Sequence, residues 1–98
     1  MSQWILEVTR LSRTQPKPDS KWAQPKFILA GVSVAGALEA DPVDLSCELL
    51  STDGSVLPVT ANLMLSHCPE VEFLVIGDIS ESWLEQVGRG LRLRQAKC

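Results

Sequence analysis

The amino-acid sequence predicts a mainly β protein, a small antiparallel barrel or sandwich of five to six strands with one short C-terminal helix. Apolar residues alternate or run together in segments of strand length, and Asp, Gly and Pro residues separate these segments. Only one segment, near the C-terminus, has helical spacing. We expect residues 1–98 to form a single domain with one core. The alternative architecture is an α+β sheet with the helix packed on one face.

The first strand is predicted over residues 3–11, where Trp4, Leu6 and Val8 share one face. Residues 12–25 follow this strand. They are polar and contain three prolines, so they cannot bury a core. We therefore expect a flexible polar loop at 12–25.

Two further strands are predicted from apolar runs. Residues 26–34 are almost continuously apolar and rich in β-branched side chains, which is typical of a strand covered on both faces. Gly31 within this run indicates a bulge or a close backbone approach. Residues 70–76 form another strand, polar at its start and apolar on both faces at its end.

A hairpin is predicted between residues 43 and 65, with its turn at Asp53-Gly54. A two-residue loop would place the apolar sets of the two strands on opposite faces, whereas a three-residue loop, residues 52–54, places them on one face. Gly54 then takes the positive φ that a type I turn followed by a G1 bulge requires. The expected pairs are Leu49 with Leu57, Cys47 with Val59, Leu45 with Ala61, and Val43 with Leu63.

Pro58 faces Glu48 in this register, at a pair that exchanges no hydrogen bonds. Pro58 therefore predicts an unpaired edge on the far side of its strand. An unpaired edge on a short, apolar-rich chain leaves surface that a monomer must hide. We expect a homo-oligomer, and the charge segregation described below predicts that its contacts weaken with added salt.

The helical segment begins after Ser80, a predicted N-cap, and should span two turns. Trp83, Leu84 and Val87 form its apolar stripe, and both Trp83 and the first-strand tryptophan are assigned to the core. Gly88 ends the helix. The strict alternation of residues 91–94 then predicts a final strand with arginines on its outer face.

The charges are segregated along the chain. All nine basic residues lie outside residues 27–88, and that middle segment carries a net charge of −10. The preceding segment carries +3 and the following segment +4. Such a pattern acts on association and partner choice more than on fold.

Three interpretations of the basic ends remain open. If the first and last strands are neighbours, Arg10, Arg13, Arg92 and Arg94 form one positive patch suited to phosphates. The basic end of one molecule could instead contact the acidic hairpin of another. In the third interpretation the basic strands flank acidic strands within the monomer and pair with them locally, each exposed pair contributing about 0–1 kcal/mol.

Trp22 lies in a basic, proline-rich stretch between Lys21 and Lys26. An exposed tryptophan in this setting is typical of a binding arm, because indole provides a large contact area at low entropic cost. The competing interpretation is that the loop folds back and Trp22 covers one end of the protein's own barrel.

No catalytic residue, metal site or cofactor is predicted. His67 and Cys68 are adjacent, and neighbouring strand residues point to opposite faces. Three widely spaced cysteines do not form a disulfide framework, and a buried free thiol is expected at Cys47. The carboxylates and glycines match no cation-binding or phosphate-binding spacing.

These observations predict a non-enzymatic binding or assembly module that contacts protein, itself included. The predicted partner-binding residues are Trp22, Lys21, Lys26, Arg10, Arg13, Arg92 and Arg94. One alternative is a single-stranded nucleic-acid binder that uses Trp22 and the terminal Arg and Lys residues. A second alternative is a β barrel that binds a small ligand. Neither a signal peptide nor a membrane-spanning segment is visible, so we expect a cytoplasmic protein.

Overall fold

The computed structural model describes residues 4–14, 26–38, 44–67 and 69–96. Six antiparallel strands close into a barrel in the order β1-β2-β5-β4-β3-β6, with one short helix between β5 and β6. This confirms the mainly β prediction and selects the barrel among the predicted architectures. The elements are β1 (Ile5–Arg13), β2 (Lys26–Ala35), β3 (Leu45–Leu50), β4 (Val56–His67), β5 (Glu70–Ile76), α1 (Glu81–Leu84) and β6 (Arg92–Gln95).

The barrel interior is filled by apolar side chains from all six strands, because alternate residues of each strand point inward. Trp4 and Phe73 are both fully buried and stack with their ring centroids 5.8 Å apart. No polar or charged residue is buried in the described part of the chain. The other fully enclosed side chains are Leu6, Val8, Phe27, Leu29, Leu49, Ala61, Val75, Leu91 and Leu93.

The β3–β4 hairpin has the predicted register. Leu49 lies opposite Leu57, Cys47 opposite Val59, and Gly54 has a φ of 94°. The Ser51 N–H donates to the Ser55 carbonyl at 2.9 Å, and the Gly54 N–H donates to the Ser51 carbonyl at 3.3 Å. Leu45 lies opposite Ala61 as predicted, whereas the predicted pair of Val43 with Leu63 lies outside the described residues.

The turn of this hairpin is held by Asp53. The Ser51 hydroxyl donates to its carboxylate, and the Ser55 N–H donates to the same oxygen at 2.9 Å. These hydrogen bonds stabilise the charged form and lower the pKa of Asp53 to about 2.

The segment from Ser80 to Gly90 covers the barrel end at which the β3–β4 turn lies. Trp83 and Leu84 are partly buried against the core, and the Thr52 N–H donates to Gln86 Oε1 at 3.2 Å. The predicted N-cap at Ser80 is confirmed, although its side chain makes no capping hydrogen bond. The predicted length was wrong, because the helix has one turn instead of two.

Gly31 lies where β1 and β2 approach most closely. A Cβ at this position would lie 3.0 Å from the Glu7 carbonyl oxygen, so the predicted close approach is confirmed. The register shifts opposite it, between Val8 and Arg10. β1 then continues through Arg13, two residues further than predicted, so part of the expected loop belongs to the sheet. No helix of the described residues is both long enough and apolar enough to cross a membrane.

Candidate functional site

Strand β4 carries most of the exposed apolar surface. Its 12 residues include no Asp, Glu, Lys or Arg. Four large hydrophobic side chains are exposed in the described part of the chain, and three of them lie on this strand. They are Val56 at 45%, Met64 at 53% and Leu65 at 45% exposure, and the fourth is Val34 on β2 at 46%.

A β-bulge places Met64 and Leu65 at the surface. Leu63 lies opposite Phe73 and Leu65 lies opposite Glu72, so Met64 is an extra residue in β4. Leu63 faces the interior with Phe73, whereas Leu65 faces outward with Glu72. The bulge therefore turns an apolar strand segment toward solvent, and the sequence analysis did not foresee it.

The second half of β4, residues 62–67, is paired on one side only within the described residues. Its pairing with β3 ends where Leu45 lies opposite Ala61, while its pairing with β5 continues to the hairpin turn. Asp44, the residue before β3, has a φ of 41°, and its N–H donates to Asn62 Oδ1. We call residues 62–67 the β4 extension.

The structure contains a short unpaired edge beside Pro58, on the side of β4 where one was predicted. Pro58 lies opposite Glu48, as predicted, and the pairing of β4 with β5 begins only at Thr60 opposite Ile76. Residues 56–59 therefore have no strand partner on that side among the described residues. Beyond them the barrel is closed, so the edge does not run along the whole strand.

An open cleft of about 580 Å³ lies beside this gap. Its floor is the outer face of β3 and β4, where Ser46 lies opposite Thr60. One wall is the chain that leaves β5. At Gly77 this chain passes so close to β4 that an added Cβ would lie 2.7 Å from Val59 Cγ1. The lining residues are Ser46, Cys47, Glu48, Pro58, Val59, Thr60, Ile76, Gly77, Asp78 and Ala96.

The first and last strands are neighbours, as the positive-patch interpretation required. However, Arg10 Nη2 lies 2.5 Å from Glu72 Oε1, and Arg94 Nε lies 3.1 Å from Glu48 Oε1. β6 pairs with β1 only at residues 5–7, so Arg10 lies several residues away from the arginines of β6 along the barrel. Arg10 and Arg94 therefore follow the third interpretation, in which basic residues pair with acidic residues of neighbouring strands within the monomer.

The remaining predicted partner-binding residues are scattered. The Arg13 guanidinium carbon lies 5.7 Å from the centroid of the Phe27 ring. Arg92 is exposed on the outer face of β6, and Lys26 is exposed at the start of β2. Trp22 and Lys21 lie outside the described residues. The structure therefore does not bring the four arginines into one patch.

Cys47 is buried, and its burial raises the pKa of the thiol to about 12. The thiol is consequently protonated at neutral pH, which removes its nucleophilic form. His67 lies at the exposed end of β4, opposite Glu70, and Cys68 lies outside the described residues. No group of three or more His, Cys, Asp or Glu side chains that could hold a metal ion occurs among the described residues.

Two features of this surface were not predicted from the sequence. The cleft depends on where the chain leaves β5, which no local pattern specifies. The apolar surface of β4 had one visible signal, since residues 54–69 contain no Asp, Glu, Lys or Arg. Comparisons with protein-family models, curated proteins and solved structures found no significant match to this chain.

Proposed function

We propose that this chain is a non-enzymatic assembly module that associates with a second copy of itself through the β4 extension. The observation that carries the proposal is the second half of β4, which contains no Asp, Glu, Lys or Arg and where Met64 and Leu65 are about half exposed. Among the described residues this segment is paired on one side only, and exposed apolar surface on such a strand favours pairing with another chain.

A second copy fits this surface for two physical reasons. A strand edge pairs antiparallel with its own copy about a twofold axis, so one surface supplies both sides of the contact. The β4 extension also contains no Asp, Glu, Lys or Arg that would repel its copy. Arg10 and Arg94, which the nucleic-acid alternative requires, are instead held by carboxylates.

The β4 surface and the segregated charges predict different responses to salt. A contact between the basic ends of one molecule and the acidic middle of another should weaken as salt rises, because screening acts over roughly 10 Å at 0.1 M. Association through the β4 extension, which contains no Asp, Glu, Lys or Arg, should change little as salt rises. A salt series therefore separates this proposal from the salt-sensitive contact expected from the sequence.

The direct test is Met64→Lys, with Val34→Lys as the matched control. Both side chains are about half exposed, and both are extra residues at a register shift, but Val34 lies on β2. We expect Met64→Lys to weaken dimerisation by about 30-fold, the size of a hot-spot loss of about 2 kcal/mol. Val34→Lys should leave the dimerisation constant unchanged.

Sedimentation equilibrium over a concentration series measures this constant for the wild type and both variants. A monomeric wild type, or equal weakening by the two variants, contradicts the proposal. Binding of single-stranded DNA that falls steeply with salt, and that does not depend on Met64, would favour the nucleic-acid alternative.

A further inference from the structure

We infer that the cleft beside Pro58 is a second binding site, and that it accepts an ammonium or guanidinium group on an aliphatic stem. This site is separate from the β4 extension, because its floor lies on the first half of β4 and on β3. Its volume of about 580 Å³ falls within the range of about 300–1,000 Å³ that small-ligand sites occupy.

The polar lining of the cleft consists mainly of acceptors. Asp78 contributes an exposed carboxylate, and Ser46 and Thr60 contribute hydroxyl groups. Glu48 contributes a second carboxylate, one oxygen of which already accepts a hydrogen bond from Arg94 Nε at 3.1 Å. No Lys, Arg or His side chain lines the cleft in the described part of the chain. The ligand that complements such a lining is a donor of hydrogen bonds with a positive charge.

The backbone of Pro58 adds a further acceptor. The Ser51–Ser55 hydrogen bond sets the alternation of the β3–β4 ladder, which places Pro58 opposite Glu48 at a pair that exchanges no hydrogen bonds. The Pro58 carbonyl consequently points away from β3, toward the gap that β5 leaves. Proline has no N–H, so this stretch of backbone presents an acceptor without the neighbouring donor.

The apolar part of the lining fits an aliphatic stem. Pro58 and Ile76 line the cleft, and so does Ala96, whose N–H donates to the Ser46 carbonyl at 2.9 Å. A lysine or arginine side chain buries its methylene stem along apolar surface while its charged end reaches polar groups. The lining of this cleft combines both kinds of surface.

The same chemistry has two sources, a side chain of a protein segment or a free polyamine. Both would be attracted by the middle segment of the chain, which carries a net charge of −10. Four probes are used. Butylguanidinium and its neutral isostere butylurea test the requirement for charge, and spermidine and an acetylated Gly-Arg-Gly amide distinguish the two sources.

The experiment is a titration of the isotope-labelled protein followed by amide chemical shifts. We expect butylguanidinium to shift the amide signals of Gly77, Asp78 and Ala96, and butylurea to leave them in place. Tighter binding of spermidine than of the peptide assigns the site to polyamines, and the reverse order assigns it to protein side chains. Absence of a saturable shift at these three residues with any of the charged probes overturns the inference.

Asp78→Asn and Glu85→Gln form the variant pair. Both replace an exposed carboxylate by its neutral amide, but only Asp78 lines the cleft. Loss of one charged acceptor should weaken butylguanidinium binding by about tenfold in Asp78→Asn and leave it unchanged in Glu85→Gln. Equal weakening in both variants would show a general charge effect and contradict the site. Repeating the titration with Met64→Lys separates this inference from the assembly proposal, because that variant keeps the cleft intact.

Discussion

The two halves of β4 belong to one strand but are held by different interactions. Residues 56–61 pair with β3 across a tight turn, and their inward side chains Leu57 and Val59 lie opposite Leu49 and Cys47. Residues 62–67 pair only with β5 in the described structure, contain a bulge and expose Met64 and Leu65. The first half is thus built into the core, whereas the second half exposes large apolar side chains.

The largest effect is expected on the free energy of unfolding, when one leucine that packs with the first half of β4 and one leucine of the second half are each truncated to alanine. Leu49 is fully buried opposite the first half of β4, and Leu65 is about half exposed in the second half. We expect Leu49→Ala to lower the free energy of unfolding by about 2–5 kcal/mol. Leu65→Ala should change it by less than about 0.5 kcal/mol. Chemical denaturation of both variants at a concentration where the protein is monomeric measures the difference, and equal losses would remove the distinction between the halves.

The titration of Cys47 reports on the burial of the first half. The pKa of its thiol is about 12 in the folded protein, whereas the ordinary value for a thiol is 9.0. Between these two pH values the folded state retains a proton that the unfolded state loses. The contribution of the protonated Cys47 thiol to the free energy of unfolding is fully present below pH 9. It is lost as the pH rises toward 12, and the free energy of unfolding falls by up to about 1.4 kcal/mol per pH unit. Denaturation of the wild type and Cys47→Ala across this range isolates the contribution. Parallel pH profiles for the two proteins would show that Cys47 is not buried as described.

The turn that sets the register provides the smallest of these effects. Gly54 has a φ of 94°, and no atom lies within 4 Å of the position a Cβ would occupy. Gly54→Ala should therefore cost about 1 kcal/mol, because only the backbone preference changes. The variant should keep the pairing of Leu49 with Leu57, and the amide spectrum should report it unchanged. A loss above about 3 kcal/mol, or a changed pairing, would mean that this turn has a role beyond the local conformation.

The sequence predicted the first half of β4 well because local chemistry specifies it. The Asp53-Gly54 turn and the alternation of apolar residues together permit one register with all apolar residues on one face. The bulge at Met64 has no such signal. Residues 63–65 are all apolar, so the sequence shows no alternation of apolar and polar residues at the bulge, where the inward and outward positions of β4 are exchanged.

The candidate sites were harder to predict because they depend on distant parts of the chain. Arg10 pairs with Glu72 across 62 residues, and Arg94 pairs with Glu48 across 46 residues. The cleft likewise combines β3, β4, the exit from β5 and the end of β6. Charge segregation along the sequence therefore indicated which residues could pair, but the closed barrel determines which do.

The barrel is closed by β6, the last of its six strands in chain order. Leu93 lies opposite Leu6 on one side and opposite Leu49 on the other. The first five strands can assemble only into an open sheet, with β1 and β3 as its two edges, until residues 92–95 insert between them. Such non-local closure slows folding, and open edges are sites of intermolecular pairing. Until β6 inserts, β1 and β3 thus present two open edges of the kind that pair with other chains.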